Sequence, residues 1–217
     1  MHPRVKAIAR PIVLAVNTPL AKVRGKAVYE KAPRPVKLEI GGNSPRAGWV
    51  VTNVGPTVRN YLDATVRWPF ADGEVSHVYS DNVIEHITLD MGRAMYREAY
   101  RCLQPGGVMR LVTPDLRAHV ELYLSGAGAL DSPPAKHYLG MGLVVEHPID
   151  LVRIPIASFG HHTGYLYDFE TLAAELKAAG FTKVVQVKAG ESEHPELNAL
   201  DVRSHEGGAQ LAVEATR

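Results

Sequence analysis

Only one cysteine, Cys102, occurs in the 217 residues, so an internal disulfide framework is excluded and a reducing cytoplasm is the expected setting. A surplus of charge is also missing. The formal net charge is +1, which supplies no whole-molecule field for holding nucleic acid. No apolar run approaches the roughly 18–20 residues of a membrane span; the longest near the start is PIVLAV, and no small-residue cleavage pattern follows it. Neither an anchor nor a signal peptide is expected, and internal repeats and low-complexity tracts are lacking as well. With 46% hydrophobic and 22% charged residues, the chain fits one domain able to bury roughly two-thirds of its unfolded surface without a staple.

What is present begins with a local asymmetry. Arg4, Lys6, Arg10, Lys22, Arg24 and Lys26 all precede the first acid, Glu30, which predicts a solvated basic arm or helix over residues 1–35. An acidic substrate, a partner or a membrane surface is the other use for such charge. KAPRP, Lys31 to Pro35, reads as a stiff extended connector, because each proline biases its predecessor away from helix. The main domain, 36–217, starts there.

From that point apolar runs alternate with helical patterns, the signature of a sheet wound with helices. VKLEI, GWVVTN, VSHVYS and GVMRLVTPDL read as parallel central strands, with RNYLD as one more candidate. LDMGRAMYREAYRCL, Leu89 to Leu103, places Met91, Ala94, Met95, Ala99, Cys102 and Leu103 near one helical stripe and is stopped by QPGG. Cys102 is therefore expected in the core. DFETLAAELKAAGF is an amphipathic helix closed by Gly180, followed by the strand TKVVQVK. The last strand, AQLAVEAT, is reached through AGESEHPELNALDVRSHEGG, which holds no good crossover helix, so antiparallel pairing is expected.

LEIGGN, LDATVRWPFADGEVSHVYSDNVIEHI, EAYRCLQPGGVMRLVTPDL and GYLYDFETLAAELKAAGF, taken in order, resemble the class I methyltransferases that use S-adenosylmethionine. The resemblance spans about residues 36–215 and implies an α/β, Rossmann-like sheet, mostly parallel with an antiparallel last strand. It places the ligand at the carboxyl ends of the parallel strands, where open wound sheets bind ligands in any case. GGNSPRA is too short for the usual crossover helix, so an abbreviated first connection is expected. A phosphate-free cofactor has no need of an anion-binding helix; Gly41 and Gly42 are then read as leaving room for its methionyl end.

The resemblance assigns Glu39, Gly41, Gly42, Asn53, Asp63, Ala64 and Ser80 to the cofactor. Asn53 stands where the family commonly has an acid for the ribose hydroxyls; an amide can accept one such bond and donate another. That departure keeps a noncatalytic methyltransferase-like scaffold open. Ser80, Asp81 and Asn82, after the fourth strand, are expected to pass beside the methionyl group into the acceptor pocket. Glu85 and His86 are divided between capping or packing and function. No H-x-x-x-H spacing occurs, so a dedicated zinc site is not expected. A magnesium-like ion, if one acts, would use Asp81 or Asp115 together with substrate hydroxyls.

The segment from about 127 to 165 is long, apolar in LGMGLVV and IDLVRIPIASF, and rich in histidine: His137, His147, His161 and His162. Long connections in compact domains are generally functional or disordered, and the apolar content argues against disorder. It is read as a cover for the acceptor, with a homodimer surface as another use. Substrate candidates are His147, Arg153 and Tyr165. Methyl transfer to a hydroxyl needs alignment and a proton acceptor, for which His161 or His162 is the candidate, with Asp81 beside them. Polar aromatics, Arg153 and several histidines suit a polyhydroxylated acceptor, and the short first loop with FGHHTGYLYD resembles small actinobacterial O-methyltransferases that cap methylmannose chains. A methyltransferase for another small hydroxyl or carboxyl acceptor is the alternative.

Overall fold

The computed structural model describes residues 3–55, 58–201 and 209–217, and of residues 3–14 the backbone alone. The basic side chains of Arg4, Lys6 and Arg10, and the end of the predicted last connection, lie outside the described residues. A six-stranded sheet runs in the order β2-β1-β3-β4-β6-β5. Its strands are β1 (Val36–Ile40), β2 (Val50–Thr52), β3 (Val75–Asp81), β4 (Leu103–Pro114), β5 (Lys183–Val187) and β6 (Gln210–Thr216). β1 pairs in parallel with β2 and with β3, and β3 with β4. β6 runs antiparallel to both β4 and β5. This is the expected α/β, Rossmann-like sheet with an antiparallel last strand.

β1 and β2 are joined from Gly41 to Trp49 without a helix, as the shortness of GGNSPRA demands. RNYLD, in contrast, does not form a strand. It contributes one parallel bridge, Asn53 to Tyr61, because Asn53 and Asn60 turn their backbone and side-chain groups to closing the β2 loop.

Strand alternation sorts the two faces of the sheet. Val36, Leu38, Ile40, Met109, Leu111, Leu211 and Val213 face helices α1 (Pro3–Lys31), α2 (Leu89–Cys102) and α6 (Phe169–Ala178), which supply Tyr29, Met95, Tyr96, Ala99, Leu172 and Leu176 to one core. Two of these helix starts have a local cause: Thr88 accepts from the Met91 N–H at α2, and Asp168 from the Thr171 N–H at α6. Cys102 lies in this core, its thiol pushed up to about 12 by burial, and is chemically quiet.

The opposite face carries a polar row in register: Glu39, Tyr79, Arg110 and Glu214 on β1, β3, β4 and β6. No helix covers it. Trp49 and the loop that brings in Leu197, Leu200 and Asp201 close over it, with Arg110 gripping Asp201 and Glu214. Above the carboxyl ends of the strands, α3 (Leu116–Leu124), α4 (Pro133–Gly140) and α5 (Asp150–Ala157) form a cap with a small core of its own, built on Ala135, Tyr138, Leu151 and Ile154. The α1 helix packs onto the domain through Ala21 and Tyr29, whose hydroxyl donates to the Tyr61 carbonyl at 2.6 Å. Among the described residues no helix is long and apolar enough to cross a membrane.

Candidate active site

The loop after β1 turns at Gly41, whose φ of +84° favours glycine, and whose N–H donates to the Thr52 carbonyl at 2.8 Å. A Cβ at Gly41 would overlap the Val83 side chain, and one at Gly42 would press on Val51 and on the Glu39 carboxylate. The glycines are thus required by the protein's own packing at the strand ends, in addition to whatever room a ligand needs. Glu39, nearly buried, is paired with Arg46 at 2.6 Å. The Asn53 amide donates to the carbonyls of Gly41 and Gly42 and to Asn43, while its oxygen accepts from the Val54 N–H. These bonds hold the turn.

Asp63 accepts from the N–H and hydroxyl of Thr65, an Asx turn, and the Ala64 carbonyl accepts from the Trp68 indole at 3.0 Å. Ser80 is buried at the end of β3, and its hydroxyl has no partner. Asp81 receives the Tyr79 hydroxyl at 3.3 Å. The next residue, Asn82, sits at φ +50°, a region non-glycine residues seldom occupy, which is characteristic of functional turns.

A pocket of about 160 Å³ opens at this point. Its floor is Asn82, Pro114 and Gln210, the ends of β3, β4 and β6; its walls and roof are His86, His137, Tyr138, Met141, Pro155, Phe159 and His161. The side-chain oxygens of Asn82 and Gln210 are buried there without a protein partner. Buried polar atoms are rarely left so, and a ligand carrying hydroxyl donors would satisfy both.

Beneath the pocket lies Glu85, on the short 3-10 turn Ile84–His86, with no exposed surface. Its Oε2 accepts from the Thr113 hydroxyl at 3.2 Å. Its Oε1 lies 3.9 Å from His86 Nε2 and 4.0 Å from His161 Nε2. The Pro155 carbonyl, 2.7 Å from His161 Nδ1, can only accept, so Nδ1 carries the proton and Nε2 offers its lone pair. Burial lowers the His161 pKa below the usual imidazole value, opposed in part by that carbonyl. Gly164 makes the arrangement possible: a Cβ there would overlap the Glu85 carbonyl, so only glycine lets the FGHHTG loop lie this close to Ile84–His86.

The proposed substrate residues are not brought together. His147 and Arg153 both serve Asp150: the His147 N–H donates to Oδ2 and Arg153 Nε to Oδ1, each at 3.0 Å. These bonds, the His147 and Glu146 N–H groups foremost, hold the Asp150 carboxyl below its ordinary value. His147 borders a different, open depression with Tyr123, Pro148 and Ile149. Tyr165 packs edge-on against Tyr167 at 4.9 Å on the main core. His162 is exposed, while its neighbour His161 is buried. Asp115 caps α3 through the Ala118 N–H, and burial raises its carboxyl. Sequence reasoning missed His137, Tyr138 and Gln210 as pocket residues; the one available signal was the histidine density of the cover segment.

Residues 49–111 match the family model described as a methyltransferase domain. The match covers less than a third of the chain. It spans β2, β3, the Glu85–His86 turn, α2 and most of β4. Solved structures similar to the chain include a SAM-dependent methyltransferase from Thermotoga maritima, at 15% identity and TM-score 0.45, covering 91% of each chain. Another, from Archaeoglobus fulgidus, has 13% identity and TM-score 0.45, with 91% of this chain and 93% of that one covered. A third is the Haemonchus contortus phosphoethanolamine N-methyltransferase 2 in complex with S-adenosyl-L-methionine, at 16% identity and TM-score 0.46; 93% of this chain matches 52% of that one. The comparison with curated proteins gives no match. Around the matched segment, the Gly41 turn, the unpartnered Ser80 hydroxyl and the left-handed Asn82 give a polar ligand a place at the strand ends, so the residues present fit S-adenosylmethionine.

Proposed function

We propose that the protein is an S-adenosylmethionine-dependent O-methyltransferase whose acceptor is a hydroxyl of a sugar or oligosaccharide. The observation that carries this reading is the pocket at the strand ends, where Asn82 and Gln210 present unpartnered oxygens beneath His86, His137 and His161. Hydroxyl-rich ligands satisfy such acceptors, and the apolar faces of Tyr138, Phe159 and Met141 suit the non-polar face of a sugar ring. At about 160 Å³ the pocket is smaller than the roughly 300–1,000 Å³ of common small-molecule sites, which fits the end of an acceptor rather than a whole chain. Capping of a short methylated mannoside at its reducing end is one such reaction.

When bound, S-adenosylmethionine supplies an electrophilic methyl group. Glu39, Gly41, Gly42, Asn53, Asp63, Ala64 and Ser80 are the residues assigned to hold it, and Asn82 links that end of the cleft to the acceptor pocket. His161, kept neutral by burial, meets the acceptor hydroxyl. The cap excludes water from the reacting groups.

One observation favours a second reading. Because the Asn53 amide bonds inside its own turn, the ribose lacks the acceptor an acid would give, as in a noncatalytic methyltransferase-like scaffold. Incubation of the protein with methyl-labelled donor and a panel of mono- and oligosaccharides, phenols and small carboxylic acids separates the readings. Label is expected in a saccharide hydroxyl. Label in a phenol or carboxylic acid alone would overturn the sugar assignment, and none in any acceptor would favour the scaffold.

A further inference from the structure

Glu85, His86 and His161 come from segments far apart in the chain, yet their ligating atoms lie within 4.8 Å of one another. We propose that these three side chains bind a divalent transition-metal cation of the zinc class, with its open side turned to the acceptor pocket. Three features support it. The donor set, two imidazole nitrogens and one carboxylate oxygen, is the mixed set that borderline cations take in sites with an open position.

The spacing is also near that of a filled site. Bond lengths of about 2.0–2.2 Å in a tetrahedron put ligand atoms about 3.4 Å apart. Glu85 Oε1 is 3.9 Å from His86 Nε2 and 4.0 Å from His161 Nε2, and all the ligating atoms lie within 4.8 Å, so shifts of about 0.5–1.5 Å close the site. His86 is 41% exposed at its side chain and has room to make that movement.

The surroundings are those of an oriented ligand set. His161 donates Nδ1–H to the Pro155 carbonyl, which fixes the tautomer with Nε2 free to ligate. Thr113 holds the other carboxylate oxygen of Glu85. Backbone carbonyls and hydroxyls in these positions are the usual outer partners of metal-binding imidazoles and carboxylates. His137 lines the same pocket from α4.

A role in catalysis rests on the methyl-transfer reading: the remaining coordination position would take an acceptor oxygen, and His161 would then act through the cation instead of as the proton acceptor. Binding of the cation itself does not depend on that reading.

The full-length protein, stripped with a chelator and dialysed, would be titrated with Co²⁺ and followed by its visible absorption, with Zn²⁺ competition by calorimetry. One equivalent is expected to give d–d bands of low-coordinate cobalt that Zn²⁺ abolishes. His86→Gln and His161→Gln should each weaken binding at least about 100-fold, as loss of a ligand does, while His162→Gln leaves it unchanged. Circular dichroism of each apo variant checks folding, and His86→Gln, altering a partly exposed side chain, is the variant that tests the site should His161→Gln fail to fold. Absence of bands with millimolar Co²⁺, or bands that survive His86→Gln undiminished, would overturn the inference. Metal binding without donor binding would count against the methyltransferase reading alone; donor binding without metal binding would count against this inference alone.

Discussion

Arg110→Met is expected to lower the stability of the fold by about 3–5 kcal/mol, the usual consequence of removing one partner from a buried ion pair. Arg110 is fully buried in β4. Its Nε lies 2.9 Å from Asp201 and its Nη1 2.6 Å from Glu214, with the Glu191 carbonyl at 3.0 Å. Methionine fills most of the volume but leaves the two carboxylates buried without the guanidinium. Against a typical total of about 5–15 kcal/mol this is a large fraction. In a domain of this size it corresponds to a fall in Tm of roughly 6–20 °C. Thermal denaturation of the single variant, compared with Arg110→Met, Asp201→Leu, Glu214→Leu together, separates charge from shape. The triple variant is expected to recover part of the loss, because a well-packed apolar set often replaces a buried ion network at little cost. An Arg110→Met protein as stable as the parent would show that the network contributes nothing net.

The second large effect is catalytic. His161→Ala should reduce methyl-transfer turnover at least about 100-fold while donor affinity changes less than about twofold, the pattern of a group that acts mainly in the transition state. His161 lines the pocket with Nε2 toward Glu85 and Nδ1 held by the Pro155 carbonyl. His162→Ala should stay within about threefold of the parent, because the neighbouring side chain is exposed to solvent. Turnover with donor-saturated enzyme and calorimetry with S-adenosylhomocysteine give the two quantities separately. Equal losses in both variants would place neither histidine at the reacting groups.

Much of the fold is legible in the chain because its cause is local. Alternating pentads such as VKLEI bury as central strands, the stripe from Ala94 to Cys102 makes α2, and the absence of a crossover helix before AQLAVEAT leaves only antiparallel pairing for β6. RNYLD misled because its polar ends, Asn60 and Asp63, had uses in turn closure that a strand pattern does not reveal. Arg110 reads as an interruption of an apolar run; only the partners that loop back from residues 191 and 201 turn it into the centre of a packed face.

The site divides in the same way. Placement of Ser80, Asp81 and Asn82 at the end of a strand follows from strand and turn patterns, and the histidine-rich segment is found over the strand ends. What could not be read is which histidines converge. The Glu85, His86 and His161 cluster has no local spacing, so a search for two histidines one helical turn apart passes over it; it exists because Gly164 permits a backbone approach that no pattern encodes. The sequence does not show that Asp150 pairs with the Arg153 guanidinium and accepts from the backbone N–H of His147.

The most direct measurement is calorimetric titration of the purified protein with S-adenosylhomocysteine, followed by displacement with S-adenosylmethionine. One molecule per chain is expected to bind, the two ligands competing, with a rise in Tm at saturating ligand of the size that a few kcal/mol of linkage gives. Gly41→Val, whose side chain would collide with Val83 at the turn, is expected to lose that binding. No heat and no thermal shift at millimolar ligand would contradict the assignment of a donor site to these strand ends.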